Sequence, residues 1–152
     1  MKFSALIVGL LIPAFLSAAP QTKSEHLTKP WKQVFSDSIG KFAVDMSSFK
    51  VITPKDMFSF NMAVILHQPA IHNGAQVMAT IVTMQGSCKQ NKVKMTGDVI
   101  ISTEGYEIDK NVISAGDKME TPEPLSATGK VLAAICSGKT PAEEAPVQIT
   151  QV

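Results

Sequence analysis

Strict two-residue alternation over residues 57–67 (MFSFNMAVILH) constrains this chain more than any other feature. Phe58, Phe60, Met62, Val64 and Leu66 fall on one side, and Met57, Ser59, Asn61, Ala63, Ile65 and His67 on the other. A helix would scatter those apolar side chains around its axis, whereas a strand gathers them on one face of a sheet. Residues 76–84 (QVMATIVTM) are apolar on both faces, which predicts a central strand or one covered by a helix. Residues 92–103 alternate again, with Val93, Met95, Val99 and Ile101 opposite Lys92, Lys94, Thr96 and Asp98. Shorter extended runs are expected at 31–35, 41–45, 49–53 and 106–113.

The segments between these runs carry turn chemistry. Asp45-Met46-Ser47-Ser48 reads as a turn or one helical turn, because Asp and Ser bond their own backbone. Residues 69–75, with Pro69 and Asn73-Gly74, read as a loop, and Glu104-Gly105 as a turn. Pro122 and Pro124 interrupt regular structure. Residues 125–136 then read as a helix with Ser126 or Thr128 as N-cap, a stripe of Val131, Leu132 and Ile135, and Gly138 as terminator. Gly129 counts against that helix on propensity. Many strands followed by one helix predict an α+β fold: a single antiparallel β-sheet of about five to six strands with a C-terminal helix packed on it.

The first residues point to an exported chain. Lys2 precedes residues 5–15 (ALIVGLLIPAF), and the small residues Ser17, Ala18 and Ala19 follow, as in a cleaved secretory signal. A spanning helix would need about 20 apolar residues. Cleavage after Ala19 would leave Pro20 first, so cleavage after Ala18 competes with it. The expected organisation is a signal peptide over 1–19, a flexible lead-in over 20–30, one α+β domain over 31–138 and a disordered tail over 139–152. In an oxidising destination, Cys88 and Cys136 read as one structural disulfide pinning the helix to the sheet. Redox catalysis needs a closely spaced low-pKa pair, which these two positions do not form.

Composition narrows the function. Apolar residues make up 45% of the chain, enough to fold rather than remain disordered. Fourteen basic residues face 13 acidic ones, and all of the basic ones are lysine. Without arginine forks and with a net charge of only +1, nucleic acid is set aside as a partner. His67 and His72 flank the 69–75 segment, with His26 in the lead-in, but no further ligand lies nearby, so loop-flanking histidines are the better reading than a metal site. The scattered methionines raise soft-metal binding. Core filling explains them better, with Met62 and Met95 at core-facing positions. Glu107, Asp109 and Asn111 read as a solvated strand face. No Gly-x-Ser-x-Gly elbow, Gly-rich phosphate loop or paired-carboxylate motif is present, so no catalytic residue and no cofactor are assigned. Lys89, Lys92 and Lys94 form a modest basic patch beside Cys88, the candidate partner-binding residues; a solvated sheet face is the plainer alternative.

In order along the chain, Trp31 with Val34, Phe42-Ala43-Val44-Asp45, Met46-Ser47-Ser48-Phe49, Cys88, Gly105-Tyr106, Pro124-Leu125-Ser126 and Cys136 resemble the surface-adhesin protein E-like family of exported bacterial proteins. The resemblance spans residues 31–138. It departs at Lys89, Lys92 and Lys94, where members often carry arginine, and at Met119 and Glu120, where they often carry an aromatic residue. The family's founding member is a lipid-anchored adhesin, and this chain lacks the anchoring cysteine. The resemblance implies a non-enzymatic binder of host matrix or serum proteins at the periplasm, cell surface or outside the cell, with a homodimer as one form. The alternatives are a periplasmic accessory subunit of an envelope or secretion assembly, and a carrier of a small apolar ligand between sheet and helix. Membrane contact is expected only through the signal peptide.

Overall fold

The computed structural model describes residues 22–53, 56–114, 118–138 and 147–149. Six strands form one antiparallel sheet in sequential order: β1 Trp31–Ser36, β2 Gly40–Thr53, β3 Met57–His72, β4 Ala75–Ser87, β5 Lys92–Ser102 and β6 Glu107–Val112. One helix, α1 Ala127–Cys136, follows them, and a short 3-10 turn at Glu25–Thr28 precedes them. The α+β architecture is therefore as the alternation dictates, with β4 central between β3 and β5.

Each face of the sheet has its own core. On the α1 side, Phe42, Val44, Phe58, Phe60, Met62, Met84 and Val93 pack with Val131 and Leu132 of the helix. On the opposite side, Trp31, Ala43, Ala63, Ile81 and Ile101 cluster with Ile149, and Leu27 packs against them. Two covered faces explain why β4 reads as apolar throughout.

The turns follow from local chemistry. Asn73 and Gly74 both adopt positive φ (48° and 80°), as a two-residue hairpin turn requires. The 69–75 loop is nevertheless shorter than expected, because β3 continues to His72. Pro69 is tolerated there because the β3–β4 register shifts between Ile65 and Ala70, and a bulge spares the N–H that proline lacks. A second irregularity corrects the reading of β5. Thr83 pairs with Gly97 but Met84 with Met95, so one residue of β5 is extra. That single residue reverses the parity of everything beyond it. Val93 therefore faces the helix while Val99 and Ile101 face away, although all three occupy odd positions.

Ser126, not Thr128, caps α1: its Oγ accepts the Gly129 N–H at 3.1 Å. Gly138 takes positive φ (63°) beyond the helix end. Cys88 follows β4 and Cys136 ends α1, and the two form a disulfide with their Cα atoms 5.5 Å apart. Lys130 Nζ lies 3.9 Å from the centre of the Phe35 ring, joining the helix to β1.

Described residues near both ends of the chain contact the rest of the fold. The lead-in, expected as flexible, holds Ser24 at 5% exposure, with its N–H donating to Gly105 O at 2.8 Å. Within the stretch 139–152 expected as a disordered tail, Val147 donates to Trp31 O and Ile149 is buried. The signal-peptide reading of residues 1–19 and the rest of the tail lie outside the described residues.

Candidate functional site

The most unusual local feature begins at Asp45. Between the pairs Asp45–Asn61 and Lys50–Ser59, β2 holds four residues against one on β3. The Asp45-to-Ser48 turn expected from sequence is this bulge, carried inside a continuous strand. Asp45 is 2% exposed, and its Oδ1 accepts both the N–H and the Oγ–H of Ser47. Ser48 Oγ donates to Asp45 O at 2.6 Å and accepts the Asn61 N–H at 2.8 Å. Side-chain oxygens thus replace the ladder bonds that the extra residues forgo.

The bulge aims Phe49 toward the α1 side, where its ring stacks on Phe58 at 5.2 Å and 27°. Phe58 lies over Gly86, where any Cβ would meet its ring at 2.9 Å, so the small residue admits the aromatic pair. An open groove of about 250 Å³ results, walled by Phe49, Val51, Phe58 and Ile135 and floored by the Cys88–Cys136 bridge. Its rim is apolar and wet: Val51 is 71% exposed and Phe49 38%. Contiguous exposed apolar side chains of this kind mark contact surfaces more often than isolated ones do.

The lysine patch changes membership. Lys92 and Lys94 alternate with Val93, so they point away from α1, and Lys94 lies level with Gln85, Ser59 and Lys50 across four strands. Lys89 sits in the β4–β5 turn, where its N–H donates to Asp56 Oδ2 at 2.6 Å. The structure therefore adds Lys50 to the sequence-derived set and carries Lys89 to the hairpin tip. Lys50, Phe49, Val51 and Ile52 were invisible as a site because β2 and β5 meet only through two intervening strands.

The histidines separate from one another. His67 Nε2 lies 3.0 Å from Asp37 O, and His72 Nε2 lies 3.0 Å from Asp109 Oδ2. Both belong to β3 rather than to a loop. Among the described residues no group of three His, Cys, Asp or Glu side chains is placed to hold a metal ion. The expected solvated face of β6 is also corrected. A register shift puts Glu107 level with Ile101 and Asp109 level with Ile100, on opposite faces. Glu107 accepts the Ser24 Oγ–H at 2.9 Å, and Asp109 faces His72.

His26 is half-buried beside Trp31, whose Nε1–H donates to His26 O at 2.8 Å. Burial lowers its pKa below the ordinary value, against the opposing pull of Glu107. Of the methionines, Met62 is buried as expected, but Met95 is 41% exposed at the mouth of a second, more polar cleft with Met84, Glu120 and Glu123. Comparison of the chain with protein-family models and with curated proteins finds no match to either.

Proposed function

We propose that this chain is a non-enzymatic, exported protein-binding domain of the surface-adhesin protein E-like kind, engaging a host matrix or serum protein through the Phe49–Val51 groove. The observation that carries the reading is the exposed pair of Phe49 and Val51 beside an apolar groove fixed on both walls. One wall is held by the Asp45 bulge and the other by the disulfide at the helix end. A rigid, partly apolar patch of this type loses little conformational entropy on docking. Export is supported by the apolar leader and by a disulfide that suits an oxidising compartment.

The test is direct binding of purified protein to immobilised matrix and serum proteins. A Phe49→Ser/Val51→Ser double variant that melts like the parent should lose the interaction. Equal binding by parent and variant would remove the groove from the proposal. Capture of envelope subunits alone, from a purely periplasmic pool, would replace the host partner with an envelope assembly.

A further inference from the structure

The register of β1 leaves part of β2 uncovered beside the groove. β1 pairs with β2 only as far as Trp31 opposite Asp45. The Trp31 N–H then closes on Lys29 O, and the chain before it turns toward Gly105. Residues 46–53 therefore have β3 on one side and no strand of the described residues on the other. Bare strand edges accept an added strand by main-chain hydrogen bonding.

The two sides of this overhang differ in chemistry. Val51 lies level with Phe58, Gly86 and Val93, on the groove side. Lys50 lies level with Ser59 and Gln85, on the opposite side, and Lys92 lies level with Ser87 and Met57 on that same side. Lys50 is exposed, and no carboxylate of the described residues lies within ion-pair distance of it.

Resting on the protein-binding reading above, we infer that the outer edge of residues 49–53 accepts an extended segment of the partner, apolar toward the groove and acidic toward Lys50. An edge lysine ordinarily discourages pairing. Here it selects by charge: a carboxylate on the incoming strand satisfies it, whereas a second copy would bring Lys50 against its own counterpart. The apolar side chains of the guest would extend the row that Phe49 and Val51 begin.

The experiment titrates isotope-labelled full-length secreted protein with a short capped peptide alternating glutamate and valine, and with its lysine–valine counterpart. The acidic peptide should slow amide exchange within residues 49–53. Lys50→Glu should weaken it about tenfold while the lysine peptide gains in return. Lys50 is exposed, so a thermal melt will show that the variant keeps its fold. Binding that ignores charge, protection elsewhere on the sheet, or no binding of the acidic peptide overturns the inference. Concentration-dependent self-association with protection at 49–53 gives the edge to a second copy and overturns it equally. If the acidic peptide fails while the Phe49→Ser/Val51→Ser variant still loses its matrix partner, the edge inference falls and the groove reading stands.

Discussion

Gly129→Ala inverts the ordinary expectation for a helix glycine. Replacing glycine by alanine inside a helix gains up to about 1 kcal/mol of propensity, and burying one methyl adds about 0.8 kcal/mol. On sequence alone the substitution stabilises. In the structure Gly129 is buried, and an added Cβ would fall inside the van der Waals radius of Glu123 O, with the Pro124 carbonyl carbon 3.2 Å away. That oxygen cannot simply retreat. It accepts the Ser126 N–H at 3.0 Å and the Ser126 Oγ–H at 2.6 Å, and Ser126 Oγ in turn caps the helix. Overpacking costs about 1–3 kcal/mol, and a lost N-cap about 1 kcal/mol more. The unfavourable terms win, giving a net destabilisation of about 1 kcal/mol. For a domain of this size the melting temperature should fall by about 4 °C. Denaturant unfolding with the disulfide intact measures the free energy. Ala133→Gly, on the exposed side of α1, serves as a control that loses propensity without a clash. Combined with Ser126→Ala, Gly129→Ala should be less than additive, since both damage one turn. A neutral or stabilising Gly129→Ala would refute the close approach as the reason for glycine here.

Three further outcomes are expected. Cys88→Ser/Cys136→Ser opens a bridge between positions 48 apart and should cost about 4 kcal/mol at most, measured by denaturant unfolding against the oxidised parent; a loss below about 1 kcal/mol would mean that the helix needs no staple. His26 has a folded pKa below its ordinary value of 6.5, so its contribution to docking the lead-in is full above about pH 6.5 and is lost as pH falls through the depressed value. Protection of the Ser24 amide, measured against its intrinsic exchange rate, should fall on acidification and lose that dependence in His26→Gln, and a ring titrating at or above the ordinary value by NMR contradicts this. Asp45→Ala removes the acceptor for Ser47 and should cost about 1–2 kcal/mol, with faster exchange through residues 46–53 than elsewhere; unchanged exchange there would show that the bulge does not depend on the carboxylate.

What the sequence determined by itself is local. Period-two alternation set the strands of the central sheet, Asn73-Gly74 set one hairpin, and Ser126 with Gly138 bounded the helix, because each depends on residues only a few positions apart. Two thiols behind an apolar N-terminal stretch were enough to expect one bridge. Tertiary structure alone decided the faces. One extra residue in β5 turned Val99 and Ile101 away from Val93, and another shift set Glu107 and Asp109 on opposite sides. Bulges are invisible to periodicity because a one-residue slip keeps every identity and reverses every direction. The groove was hidden for a related reason. Phe49, Cys88 and Ile135 meet only once β2, β4 and α1 are packed, and the edge at residues 46–53 that no described strand covers depends on where β1 happens to begin.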